Sequence, residues 1–235
     1  MRKISTSMLA AAALAAASWA TPASSAVVIT TTPLPIVDAP GVTGFVTTGA
    51  DMTGMTVTVA FNGGADSTFA WATTGAASGG VTTALWSLTL NGDSFSAPWQ
   101  FSFLNPTVAL QLTHLALSGL SGFTIFDRTF GGVEGTTGSA NGTDFAFTSG
   151  CGSCNAVVNY SGQTSIGGAP AVGDLWQIVD MTFTGGSGPR ENFAFVQDTD
   201  NDIRALIPEP ESYALMLGGF GLMALIARRR RAESS

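Results

Sequence analysis

Three groups of residues in this chain have types and spacings that could support chemistry. The first is the acidic segment Asp198-Thr-Asp200-Asn-Asp202, whose alternating carboxylates resemble the first half of a calcium-binding loop. Counting Asp198 as the first position, Glu209 falls at the twelfth, where such loops carry a bidentate glutamate. Ile203, however, occupies the sixth position, where the sharp turn requires glycine. Two interpretations follow: a solvated acidic linker, which we favour, and a calcium site at Asp198, Asp200 and Asp202.

The second group is Cys151-Gly-Ser-Cys154, which holds the only two cysteines of the chain. A zinc site would need two further ligands, and His114 is the only histidine. A redox-active pair at this spacing normally begins a helix in a thioredoxin-like βαβ unit, and that sequence context is absent. We therefore predict a small structural disulfide that shapes a loop.

The third group comprises the residues that could serve in catalysis, and it is small. The sequence contains no Gly-x-Ser-x-Gly elbow, no His-Glu-x-x-His helix and no phosphate-binding loop. A Ser-His-Asp triad would have to use His114, whose place in a strand-like run is more typical of a hydrogen-bonded structural histidine. Only Glu134 and Glu191 supply glutamate to the body of the chain, although a glycosidase carboxylate pair stays open. We expect no catalytic activity and no cofactor, apart from calcium if the acidic segment binds it.

Charge and composition exclude some classes of partner. Between residues 27 and 207 the chain carries three basic residues, Arg128, Arg190 and Arg204, against thirteen acidic ones, a net charge of about −10. Nucleic acid is therefore not an expected partner, because phosphate binding depends on Lys and Arg. Only 11% of all residues are charged, while small and turn-forming residues are abundant. This composition is typical of an exported β-protein.

Alternation of apolar and polar residues predicts about ten short strands. The clearest runs are 56–61, 85–90, 95–104, 108–117, 123–126, 144–148, 156–160, 175–184 and 193–197. Asn91-Gly92, between two of these runs, predicts a hairpin, because type I′ turns need positive φ at both central residues. The alternation changes parity near His114, which predicts a β-bulge there.

These elements predict one all-β domain. Before Pro208 no stretch of the mature domain shows the 3.6-residue period of a helix. We predict a single β-sandwich over residues 27–197, with a jelly roll among its topologies, followed by an acidic and proline-containing linker over 198–211.

Four tryptophans allow two interpretations. Trp71, Trp86, Trp99 and Trp176 lie in or beside predicted strands, and we favour packing in the core. If they were exposed instead, they could form a platform for carbohydrate. Ice binding would need threonines at regular spacing on a flat face, and the threonines here are too sparse to suggest it.

The N-terminus has the pattern of a secretory signal peptide. A short basic segment precedes an Ala/Leu-rich run from Met8 to Ala20. We predict cleavage after Ala26, with Ala23 as the alternative, and thus a signal peptide over residues 1–26.

The C-terminal segment combines three features. Pro208-Glu209-Pro210 forms an extended joint, because proline cannot continue a helix or a central strand. The run Tyr213–Ala227 has 15 residues and no charge. We predict a short apolar helix and basic tail over 212–235, although a helix needs about 20 residues to cross a bilayer. This length suits a transient insertion better than a permanent anchor, and an ordinary single-pass tail anchor is the alternative.

The third feature is the basic run Arg228, Arg229, Arg230 and Arg231, which would hold the end of the helix in the cytoplasm. In this order the three features resemble the PEP-CTERM sorting signal of Gram-negative bacteria. The resemblance implies processing by the membrane protease-transpeptidase exosortase. A second segment, from Phe126 to Phe145, is also similar to stretches in exported PEP-CTERM proteins of unassigned role.

We therefore expect an exported structural or matrix protein, processed by signal peptidase and an exosortase. The expected path is transient insertion in the inner membrane, then the cell surface or the extracellular matrix. The resemblance implies association with extracellular polysaccharide in a biofilm. The main alternative is a surface module that binds carbohydrate, or else ice or calcium.

Overall fold

The computed structural model describes residues 26–43, 46–105, 107–206 and five positions of the C-terminal segment (216, 218–220 and 223). The predicted signal peptide before Ala26, the Pro208–Pro210 joint and the four arginines lie outside the described residues, as does most of the predicted apolar helix. Within the described residues, no helix is long and apolar enough to span a membrane.

The described chain is built almost entirely of β-strands. In chain order they are β1 Ala26–Thr32, β2 Val37–Ala39, β3 Val42–Thr43, β4 Thr56–Phe61, β5 Ser67–Ala70, β6 Ala72–Thr73, β7 Ser78–Thr82, β8 Trp86–Asn91, β9 Trp99–Phe103, β10 Leu112–Ser118, β11 Thr124–Asp127, β12 Ala146–Ser149, β13 Asn155–Ile166, β14 Leu175–Phe183, β15 Phe193–Val196 and β16 Asp198–Asp202. Two short 3-10 helices, Gly49–Met52 and Ile203–Leu206, complete the described elements.

The strands form two sheets. The larger has the order β3-β16-β11-β14-β10-β4-β5, with β13 along the other edge of β14 and with β1 and β2 paired in parallel with β13. The smaller has the order β12-β15-β9-β8-β7-β6 and is antiparallel throughout. The predicted all-β sandwich is confirmed.

Period-two alternation supplies the inner faces. In β13, Ala156, Val158 and Tyr160 are buried while the residues between them are partly exposed, and β8 buries Trp86 and Leu90 in the same way. Side chains from both sheets meet in one hydrophobic core. On the inner face of the smaller sheet, ring stacking connects the neighbouring strands β8, β9 and β15. The stacked pairs are Trp86 on Phe101 at 5.5 Å, Trp99 on Phe195 at 5.8 Å and Phe101 on Phe193 at 5.0 Å between ring centroids.

Two local predictions have different outcomes. The bulge expected at His114 is confirmed, because the register between β10 and β4 shifts between Leu112 and His114. The hairpin of β8 and β9 is also present, but the prediction of a two-residue turn at Asn91-Gly92 is wrong. Pairing ends at Thr89 and Gln100, and a longer loop follows. In this loop Ser94 forms hydrogen bonds outside the hairpin, from its backbone N–H to the Thr47 carbonyl and from its hydroxyl to Asp198. Within that loop the backbone carbonyl of Asp93 accepts two backbone N–H groups.

The predicted linker needs a correction at its start. Asp198–Asp202 is a buried strand, β16, that pairs with β11 on one side and with β3 on the other. These five residues therefore belong to the larger sheet and are not a solvated linker. The alternating carboxylates that suggested a calcium loop lie along this extended strand instead.

Candidate functional site

Gln197 marks the point where the chain passes from the smaller sheet to the larger one. Strand β15 ends one residue before it and β16 begins one residue after it. Its side-chain nitrogen donates to the backbone carbonyls of Asp127 at 3.1 Å and Asp198 at 2.9 Å. Its side-chain oxygen accepts a hydrogen bond from the Tyr160 hydroxyl, and its own carbonyl accepts the Trp99 indole N–H at 2.9 Å. This buried residue fixes where β16 enters the larger sheet.

Pairing of β11 with β16 concentrates carboxylates inside the protein. Asp127 lies opposite Asp198 in the ladder, and Asp200 lies two residues further along β16. None of these three residues is more than 4% exposed, and Asp174, just before β14, is 1% exposed. We refer to Asp127, Asp174, Asp198 and Asp200 as the acidic cluster.

Ser139 bridges two members of the acidic cluster. Its hydroxyl oxygen lies 3.0 Å from Asp127 Oδ2 and 2.5 Å from Asp200 Oδ2. A hydroxyl carries one proton, so it can donate to only one of these carboxylates at a time. The second contact is a hydrogen bond only if the other carboxyl carries a proton. Two carboxylates that share one hydroxyl repel each other, so positive charge stabilises this pair, either as a proton or as a bound cation.

Burial raises the pKa of three members of the cluster. It raises the pKa of Asp127 to about 8, of Asp198 to about 7 and of Asp200 to about 6. The neighbouring Asp200 carboxylate raises the pKa of Asp127 further, while the hydrogen bond from Ser139 opposes the shift. Burial thus makes the charged forms less favourable than those of carboxyl groups in water, and at neutral pH the effect is strongest for Asp127.

The loop between β11 and β12 covers the acidic cluster. Thr136 donates to Asp174 through its backbone N–H at 2.6 Å and its hydroxyl at 2.8 Å. Gly142 packs so closely on Asp127 that an added Cβ would collide with the carboxylate. Glycine is required at this position by the close approach of the loop to the cluster.

An ion pair closes the two ends of this loop. Arg128 binds Asp144 through two parallel hydrogen bonds, Nε to Oδ1 at 2.9 Å and Nη2 to Oδ2 at 3.0 Å. The guanidinium also lies 4.7 Å from the centre of the Tyr160 ring. The segment from Phe126 to Phe145, which the sequence singled out, is therefore the cover of the cluster.

His114 lies on the outer face of the larger sheet between two carboxylates. Nδ1 is 2.8 Å from Asp66 Oδ1, and Nε2 is 3.0 Å from Asp180 Oδ2. Partial burial lowers the pKa of His114, but hydrogen bonds from the ring to Asp180 and Asp66 raise it more, so the net shift is upward. When the imidazole is protonated, both ring nitrogens donate, which ties β10 to β14 and to the segment before β5. The interpretation as a hydrogen-bonded structural histidine is consistent with this geometry.

This arrangement predicts a pH-dependent contribution to stability. The folded state holds the His114 proton more tightly than the unfolded chain, so the contribution is complete below the unfolded pKa and is lost as the pH rises through the folded one. Replacing His114 by Gln should destabilise the protein at about pH 6 by at most about 1 kcal/mol, because the pair is partly exposed, and by less at about pH 8. Urea unfolding at both pH values measures the difference. An equal difference at the two pH values would contradict the prediction.

The other predicted site residues have clear positions. Cys151 and Cys154 form the predicted disulfide, with 5.1 Å between their Cα atoms, and both are buried. The four tryptophans are at most 3% exposed, so they pack in the core. The alternative interpretation, that they form a carbohydrate platform, is therefore wrong. Three of the four indole N–H groups donate to backbone carbonyls: Trp71 to Gly49 at 2.8 Å, Trp99 to Gln197 at 2.9 Å and Trp176 to Gly173 at 3.0 Å.

The predicted calcium residues do not act as one group. Asp198 accepts hydrogen bonds from Ser94 at 2.9 Å and from a backbone N–H, and Asp202 pairs with Arg204. Within residues 26–43, 46–105 and 107–206, no group of three His, Cys, Asp or Glu side chains is arranged around a common metal position. Sequence reasoning missed Asp127 and Ser139, whose partners are far away in sequence. The only available signal was the Gly/Thr/Ser-rich segment that contains them.

These observations define an exported-type all-β sandwich with a buried acidic cluster under a glycine-rich loop. Residues 206–231 match the family model of the PEP-CTERM protein-sorting motif, so the chain carries the C-terminal sorting signal of an exosortase substrate. The match begins at the last residue of the 3-10 helix Ile203–Leu206, directly after the folded domain. No curated protein and no solved structure matches this chain.

Proposed function

We propose that this chain is a non-catalytic structural protein of the cell surface or extracellular matrix. After export, an exosortase cuts it near Pro208-Glu209-Pro210 while the apolar segment is inserted transiently in the inner membrane. The observation that carries the proposal is the match to the sorting motif at residues 206–231. The negative net charge and the scarcity of basic residues suit an extracellular protein that stays soluble beside acidic or neutral polysaccharide.

Two features of the folded domain support a structural role. The disulfide suits an oxidising compartment. Both nitrogens of His114 are engaged by carboxylates, so this residue is not placed to activate a serine.

The position of β1 is compatible with both predicted signal-peptidase cuts, after Ala26 and after Ala23. Ala26 is the first residue of this strand, and its backbone N–H donates to the Cys154 carbonyl at 3.0 Å. Cleavage after Ala26 removes this bond, whereas cleavage after Ala23 retains it. Either cut by signal peptidase leaves Val27–Thr32 available to pair with β13.

Intact-mass measurement tests the sorting proposal. The protein is isolated from cells with and without the exosortase, together with a variant in which Pro208, Glu209 and Pro210 are replaced by alanine. With the enzyme present, we expect the wild-type chain to lose the signal peptide and everything beyond the Pro-Glu-Pro region, while the variant keeps its C-terminus. Glu191→Ala, on the domain surface, is the matched control and should be processed normally. An unchanged wild-type C-terminus in both strains would contradict the proposal and would favour the alternative, a simple tail-anchored protein.

A further inference from the structure

We propose that the acidic cluster binds one Ca²⁺ ion, held between the carboxylates of Asp127 and Asp200 and covered by the loop between β11 and β12. This site is independent of the sorting signal. It also differs from the calcium loop that the sequence suggested, because it takes its second carboxylate from β11 and not from the same strand.

Charge balance is the first argument. Three arginines lie between residues 27 and 207, and each is engaged away from Asp127 and Asp200. Arg128 binds Asp144, Arg190 binds Gln111 and Arg204 binds Asp202. Positive charge for the pair must therefore come from solution, as a proton or as a metal ion.

The unpaired oxygens are the second argument. Among the described residues, Asp127 Oδ1 and Asp200 Oδ1 are inaccessible to solvent and accept no hydrogen bond from the protein. A shared proton would complete the chain from Asp127 Oδ2 through Ser139 to Asp200 Oδ2, but it would leave both Oδ1 atoms unpaired. Such buried, unpaired carboxylate oxygens are costly, and coordination of a cation removes the cost.

The chemistry of the donors selects the ion. The available groups are carboxylate, hydroxyl and backbone carbonyl oxygens, which are the ligands of hard cations and not of zinc or copper. Calcium takes six to eight oxygens in flexible geometry. Two carboxylates can therefore be supplemented by the Ser139 hydroxyl, by the Ala140 carbonyl, which lies 3.3 Å from that hydroxyl, and by water. Magnesium is disfavoured at a buried site because it gives up its hydration shell reluctantly. In the described part of the chain no three carboxylates are arranged around a common metal position, so the protein supplies two carboxylates and the remaining ligands are neutral oxygens.

The other members of the acidic cluster have different roles. Asp198 is occupied by Ser94, and Asp174 accepts two hydrogen bonds from Thr136. They contribute negative potential without being the primary ligands. A bound ion would join β11, β16 and the covering loop, and would thereby stabilise the last strand before the sorting motif.

Thermal unfolding of the full, exported chain tests the proposal, with CaCl₂, MgCl₂ or EDTA at matched ionic strength and neutral pH. At a Ca²⁺ concentration about 100-fold above Kd, Tm should rise on the order of 5–10 °C over the EDTA sample. Asp127→Asn and Asp200→Asn should each lose most of this shift, and Glu191→Gln, an exposed control, should keep it. Native mass spectrometry of the wild-type chain in a calcium-containing volatile buffer should show one calcium per chain, which provides a readout that needs no variant.

Three other outcomes would each overturn the calcium proposal. Equal Tm values in CaCl₂ and EDTA, with no calcium in the mass spectrum, would show that protons alone neutralise the pair. A calcium shift that survives in both asparagine variants would place the ion elsewhere. An equal shift with MgCl₂ would show a general effect of divalent cations on an acidic surface. None of these results affects the sorting proposal, which rests on processing and not on stability.

Discussion

In the presence of EDTA, the free energy of unfolding is expected to decrease by several kcal/mol as the pH rises from about 4 to about 8. The origin is the acidic cluster, in which burial raises the pKa of Asp127 to about 8, the pKa of Asp198 to about 7 and the pKa of Asp200 to about 6. Most exported proteins would show a much flatter profile over this range, because carboxylates usually titrate below it.

The direction follows from proton linkage. Between the unfolded and folded pKa values of Asp127, the folded state binds more protons than the unfolded chain, so each increase in pH favours unfolding. The stabilisation is complete below the unfolded pKa of about 4 and is lost as the pH passes the folded one. Negative charge on Asp198 and Asp174 also raises the pKa of Asp127. The hydrogen bond from Ser139 lowers this pKa but does not reverse the net shift.

Replacing Asp127 by Asn isolates this contribution. The amide occupies the same volume, carries no charge and can donate to the Ser139 hydroxyl, which can then donate to Asp200. In EDTA we expect this variant to be more stable than the wild-type chain at about pH 8 and to have a flatter pH profile. Denaturant unfolding at several pH values measures both effects, with Glu191→Gln as the surface control. A variant that keeps the full wild-type pH dependence would show that the slope arises elsewhere. The His114 contribution is smaller and is removed separately by His114→Gln.

The sequence was informative wherever local patterns decide the structure. Period-two runs located most of the central strands, and the parity change near His114 located the bulge, because side-chain direction in a strand depends only on immediate neighbours. The spacing of Cys151 and Cys154 similarly restricts their bond to a short loop. The burial of the four tryptophans follows from their strand positions and large apolar area.

The acidic cluster could not be predicted, for a physical reason. Five consecutive polar residues, Asp198 to Asp202, normally indicate a solvated segment, because burying carboxylates is unfavourable. Their burial depends on pairing with β11 and on the cover that Ser139 and Thr136 provide, and both are distant in sequence. The long loop after Gly92 has the same origin, since Ser94 leaves the hairpin to bind Asp198. Polar residues that are buried against this general rule are typical of positions with a specific role.

Gln197→Leu is expected to lower the free energy of unfolding by about 3–5 kcal/mol, one of the largest effects of any single substitution in the domain. Leucine has nearly the same volume, so the loss comes from hydrogen bonds and not from a cavity. The backbone carbonyls of Asp127 and Asp198 each lose their side-chain donor, and the Tyr160 hydroxyl loses its acceptor. All of these groups lie inside the protein, where an unpaired polar group costs about 1–3 kcal/mol.

Two comparisons make this result specific. Gln100→Leu, on the exposed face of β9, is the matched control and should change stability by less than about 0.5 kcal/mol. Tyr160→Phe removes only the hydroxyl, so the double variant with Gln197→Leu should be less destabilised than the sum of the single variants, by about 1 kcal/mol. Denaturant unfolding of the four variants at one pH measures both differences. If Gln197→Leu were as mild as the surface control, the crossing between the sheets would depend on β-pairing alone, and Gln197 would not fix the position of β16.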